Sequence, residues 1–228
     1  MSIKAELAGK GLSVIATKLL THEIVEPEGF TVLQRVATEI SKHRASMAWT
    51  FEIDRGLPVV FSRVLDKNGR GVVPRMVVPG ISVDQEYAGH SLPFTAFDIA
   101  IEIDSDDGTP VARWHVDLAN KIDGVYQDGP LMHLQFGGHN QGFRELDHPL
   151  KVPRWCHPPL DVALVCEVIA ANFFTEKWLE LREDPSWCDA IALFQRLCFT
   201  AYIEKLTASL SVSSKTALHT MWASSWGG

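Results

Sequence analysis

What this chain lacks narrows its class first. No stretch reaches the roughly 18 uninterrupted apolar residues of a membrane-spanning helix. The most apolar run, Asp161 to Phe174, is broken by Glu167 and suits a buried helix. Lys4 and Glu6 interrupt the N-terminus where a secretory leader would need its apolar segment, so no leader is expected. There are only four cysteines, Cys156, Cys166, Cys188 and Cys198, and no two form a C-x-x-C pair. That spacing argues against a zinc ribbon or a thioredoxin-type motif. Cys166 and Cys198 fall in apolar helical patterns and read as reduced core residues, which suggests the cytoplasm. Positive charge is scarce: 21 Lys and Arg stand against 28 Asp and Glu, a net charge of −7. A general affinity for nucleic acid is disfavoured, leaving only local basic patches. Internal repeats, low-complexity tracts, a Ser-centred nucleophile elbow, a phosphate loop and a dinucleotide fingerprint are all missing, and no cofactor is expected.

What is present is a globular composition, 46% apolar and 21% charged. The 228 residues read as one α+β domain, helical over 1–45, β-rich over 46–137 and helical over 158–228. Leu12, Ile15, Ala16, Leu19 and Leu20 share one face of a first helix, whose start Gly9 and Gly11 weaken. Phe30, Leu33, Val36, Ala37 and Ile40 predict a second helix to about His43. The apolar period then falls to that of a strand: Met47, Trp49, Phe51 and Ile53 alternate with smaller or polar residues. Val59 to Leu65 reads as the returning strand, and Asp66-Lys-Asn-Gly69 as a hairpin turn. Val72 to Val78 is a third strand, pushed to an edge by Pro74, and Pro79 to Pro93 is a loop.

The clearest pattern runs from Phe94 to Phe136. Phe97, Ile99, Ile101 and Ile103 alternate with Asp98, Ala100, Glu102 and Asp104. After a turn at Ser105 to Thr109, apolar Ala112, Trp114, Val116 and Leu118 alternate with Arg113, His115 and Asp117. A longer connection, Ala119 to Pro130, leads to Met132, Leu134 and Phe136, which flank His133 and Gln135. The prediction is an antiparallel β-meander with one apolar and one polar face. The apolar even positions Ala112, Trp114, Val116, Met132, Leu134 and Phe136 are expected under the C-terminal helices. Those helices run from Asp161 to about Phe174, over Thr175 to Arg182, and from Trp187 to about Leu210 with Ser186 as cap.

The polar face gathers Asp98, Glu102, Arg113, His115, Asp117, His133 and Gln135. Face matching limits strand register, because a one-residue slip turns every side chain over. One permitted register pairs Glu102 with Arg113, Ala100 with His115 and Asp98 with Asp117. In the second hairpin, another sets His115 beside His133 and Arg113 beside Gln135. The simplest use of this face is to meet water, with a Glu102–Arg113 ion pair.

Its most specific use is metal-independent cleavage of a phosphodiester. His115 and His133 would exchange protons, Asp117 would orient an imidazole and Arg113 would anchor phosphate. Gln135 and His139, the latter in Phe136-Gly-Gly-His-Asn140, would complete the contacts to RNA or another anionic ligand. A different class is a non-catalytic interaction module, such as a subunit of a bacterial assembly, since seven tryptophans and a Trp- and Ser-rich tail suit a protein partner. A third is a metal site built from His115, His133 and Asp117 or Glu102, although no tight His spacing supports it. His148 and His157, each before a proline, read as turn residues. Arg63, Lys67, Arg70 and Arg75 surround the Asn-Gly turn as a solvated basic patch, and Lys151 with Arg154 forms a smaller one.

Overall fold

The computed structural model describes residues 2–137, 152–211 and 214–226. Two helices lead, α1 (Ala5–Thr21) and α2 (Pro27–Lys42). The apolar spacing read for α1 buries Leu12, Ile15, Ala16 and Leu19. Gly9 does not weaken that helix but sets how closely it packs. A Cβ at this position would lie 2.5 Å from the Ala37 carbonyl oxygen of α2 and 3.0 Å from the Ser41 nitrogen. On a free helix Gly→Ala stabilises by up to about 1 kcal/mol. Here the sign inverts, because backbone cannot step aside: Gly9→Ala is expected to cost about 1–3 kcal/mol. Thermal unfolding reads this directly, and a gain in stability would show that the α1–α2 contact has slack.

The chain then builds the antiparallel sheet: β1 (Ala48–Ile53), β2 (Val59–Val60), β3 (Val64–Leu65), β4 (Gly71–Asp84), β5 (Phe94–Ser105), β6 (Pro110–Leu118), β9 (Met132–Phe136) and β10 (Trp155–Cys156). A separate hairpin, β7 (Lys121–Ile122) with β8 (Val125–Tyr126), interrupts the connection from β6 to β9. The sheet order is β1-β4-β5-β6-β9-β10, with β2 and β3 also paired to β4.

Two expectations are corrected here. The strand expected at an edge is the long interior strand β4, and it extends through Pro79 to Asp84, where a loop was read. Proline is tolerated for a local reason. In an antiparallel strand one residue's N and C=O face the same neighbour. The Pro74 oxygen accepts from Phe61 N at 3.0 Å, so its missing N–H also faces Phe61. That residue sits in the break between β2 and β3, where no ladder bond is lost.

The C-terminal part forms α3 (Val162–Phe173), α4 (Thr175–Leu181), α5 (Pro185–Leu210), α6 (Ala217–Met221) and a 3₁₀ turn at Ala223–Ser225. Asp161 caps α3 by accepting from Leu164 N. The cap of α5 is Asp184 rather than Ser186: its Oδ1 accepts from Ser186 N and Trp187 N, and Pro185 takes the first helical position, where no N–H is needed. Helices from both ends cover the sheet, with α2 against β1 and β2, and α3 facing β5 and β6.

The meander's apolar face is only partly covered, against expectation. Val116 and Met132 are buried, Trp114 and Leu134 are half-buried, and Phe136 is 45% exposed. The cause is length: a 12-residue helix spans roughly 18 Å, whereas a 12-residue strand runs roughly 40 Å. Cys166 and Cys198 are fully buried and unpaired, and burial raises both thiols, so neither is a nucleophile at neutral pH. No helix among the described residues is long and apolar enough to cross a membrane.

Candidate functional site

The polar side chains of the meander share one face, as parity requires. Across β5 and β6, Asp98 lies opposite Asp117, Ala100 opposite His115 and Glu102 opposite Arg113. Across β6 and β9, His115 faces Gln135 and Asp117 faces His133. The second register is two residues away from the one anticipated, in which His115 stood beside His133. Parity excludes odd slips only, and the β7–β8 hairpin takes up enough chain to set Leu118 against Met132.

This face is not simply solvated. Arg55, from the turn after β1, pairs with Glu102, and Arg113 Nε stands 3.4 Å from the same carboxylate. Arg75 Nη1 lies 3.1 Å from Asp104 Oδ2. The basic patch around the Asn-Gly turn is largely neutralised. Besides Arg75, Arg63 makes two 2.7 Å bonds to Asp106, and Arg70 lies 3.4 Å from Asp66.

Beyond this lattice the face hollows into a pocket of about 320 Å³ lined by Asp98, Arg113, His115, Asp117, Asn120, Gln127, Gln135 and Arg154. Asp98 and Asp117 are like charges on directly opposed positions, an arrangement that costs energy when both ionise. Burial and then Asp117 raise Asp98 to about 6, against the pull of Arg113. Burial lowers the His115 imidazole, opposed by Asp117 and assisted by Arg113. Its Nδ1 lies 3.2 Å from Gly137 O and 3.1 Å from Arg113 Nη1, and its Nε2 lies 3.8 Å from Asp117 Oδ1.

His133 stands behind Asp117. It is 1% exposed, its Nδ1 is 3.3 Å from Pro130 O, and its Nε2 is 2.8 Å from Asp117 Oδ1 but out of line for a hydrogen bond. Asp98 Oδ1, Asp117 Oδ1 and His133 Nε2 are thus buried polar atoms without an aligned partner. Each such atom typically costs about 1–3 kcal/mol, and two of the three residues, Asp98 and Asp117, line the pocket.

Of the sequence-predicted site residues, the structure brings His115, Asp117, Arg113 and Gln135 to the pocket. His133 contacts it only through Asp117. Arg113 is largely committed, donating at 2.7 Å to Gly137 O as well as facing Glu102. His139, like His148 and Lys151, lies outside the described residues. Sequence reasoning underrated Asp98 and missed Asn120 and Gln127, which the β7–β8 hairpin supplies. The Asp123-Gly124 step carried the signal. Both residues take positive φ, 51° and 81°, as a tight hairpin turn requires. Arg154 closes the mouth, donating at 3.3 Å to both Asp128 O and Gln127 Oε1.

His157 turns its Nδ1 to Pro158 O at 2.7 Å. Among the described residues no three His, Cys, Asp or Glu side chains are placed to hold a metal ion. Comparison with protein-family models, curated proteins and solved structures finds no match to this chain.

Proposed function

We propose that the polar pocket is an acid–base site acting on a small anionic ligand, with an RNA phosphodiester as the substrate class. The observation that carries this reading is the pair of buried, unaligned carboxylate oxygens, Asp98 Oδ1 and Asp117 Oδ1, of two residues lining one pocket that also holds His115 and Arg154, with His133 Nε2 behind Asp117. The working pair becomes His115 and Asp98 instead of two histidines. A lowered imidazole favours the free base, and a carboxyl raised to about 6 keeps its proton in about half of the molecules at about pH 6, so there one group can accept while the other donates. Asp117 holds position between the two, with His133 behind it. Arg154 meets the anion at the mouth, and Gln135, Gln127 and Asn120 offer hydrogen bonds to its polar edge.

The test is cleavage of a dinucleoside phosphate such as UpA between about pH 5 and 8. Activity is expected to peak near pH 6, where both protonation states coexist. His115→Ala and Asp98→Asn should each lower turnover by about 10²–10⁴-fold, whereas Arg154→Ala should mainly raise KM. Wild-type protein that cleaves nothing across this range overturns the reading. So does a His115→Ala protein with native circular dichroism and undiminished turnover.

A further inference from the structure

The apolar face of the sheet holds a second concavity, which has His115 in common with the acid–base pocket. Ile101, Trp114 and Leu134 form its floor, and Val165, Val168 and Phe173 of α3 form the facing wall. It measures about 310 Å³. We infer that this cleft is a binding site for an uncharged, mainly apolar small molecule, an aromatic or compact aliphatic compound carrying one polar group.

Three observations select that ligand. First, the cleft has the size and make-up of a small-molecule site, for which volumes run about 300–1,000 Å³ with apolar walls and few polar groups. At roughly 30 Å³ for a water-sized unit it admits roughly ten non-hydrogen atoms. Second, among the described residues no Lys, Arg, Asp or Glu lines it. A charged ligand would lose its hydration with no opposite charge to replace it, while His115, His157 and Asn172 provide for a neutral polar group. Third, the walls are preformed. Trp114 is held edge-to-face against Phe136 with centroids 5.7 Å apart, and Val165 is buried in the core. A second protein chain fits poorly: a stable interface covers about 800 Å² per partner, far more than a cleft of this size presents.

The probe is 1-naphthol, titrated calorimetrically into the full chain, with 1-naphthalenesulfonate as the charged counterpart. One-to-one binding of naphthol is expected, with a dissociation constant below about 1 mM. The sulfonate should bind at least about tenfold more weakly. Val168→Phe, which fills the cleft, should weaken naphthol at least about tenfold while circular dichroism stays native. Ile101→Phe substitutes for it should that variant fail to fold. The inference is overturned by the absence of saturable naphthol binding, by equal binding of the sulfonate, or by unchanged affinity in the folded filled variant. It is equally overturned if sedimentation shows a dimer that Val168→Phe dissociates, because the cleft would then be an interface between copies.

Discussion

At about pH 8 the Asp161→Asn protein is expected to be more stable than the wild type by up to about 4 kcal/mol, and at about pH 4 the two should be nearly equal. The carboxyl that caps α3 is fully buried, and burial raises it from 3.8 to about 7. A folded-state value above the unfolded one means that the folded protein binds the proton more tightly. The stability this confers is complete below about pH 4 and is lost as pH rises through about 7. Asparagine keeps an oxygen for Leu164 N and ranks with aspartate as a cap, yet has no charge to bury. Asp98, Glu102, Asp104 and Glu167 are also raised, chiefly by burial, so the variant should still lose some stability with pH, only less steeply. Urea unfolding at the two pH values measures the difference. A variant destabilised at about pH 8 would mean that the α3 N-terminus holds Asp161 as an anion.

Trp187→Ala should cost about 3–5 kcal/mol, the loss expected for removing a buried indole. Trp187 is 1% exposed and stands in the first turn of α5. Its Nε1 makes no hydrogen bond among the described residues, and a buried unpaired N–H costs about 1–3 kcal/mol. Trp187→Phe deletes that N–H together with only part of the volume, so its cost should be less than half that of alanine. With about 2–4 °C lost per kcal/mol in a chain of this size, alanine lowers the melting temperature by roughly 10 °C. A phenylalanine variant as unstable as the alanine one would mean that the indole nitrogen has a partner in solution.

Much of the architecture was legible because periodicity is a backbone property. The alternation through Phe97–Ile103 and Arg113–Asp117 sorted side chains onto two faces, and the observed pairing of Glu102 with Arg113 is one of the registers that parity permits. Parity left a choice among even registers, and the length of an unread hairpin made it, bringing His133 to Asp117 and not to His115. Pro74 was read by a rule about edges. The structure satisfies that rule more locally, through a break in the neighbouring strand. The depth of the polar face could not be read at all. Arg55, Gln127 and Arg154 arrive from three separated stretches of chain, and no window on the sequence contains them together.

Strand β6 is hydrogen-bonded on both sides, to β5 and to β9. Its odd positions, Arg113, His115 and Asp117, line the polar pocket, Trp114 and Val116 line the apolar cleft, and His115 borders both. The strand is therefore a two-sided printed strip. Apart from His115, which borders both concavities, positions on one side can change while those on the other stay intact, so the two proposed sites can diverge within a few consecutive codons. Only changes to the strip itself, such as a proline or a one-residue insertion, would erase both at once.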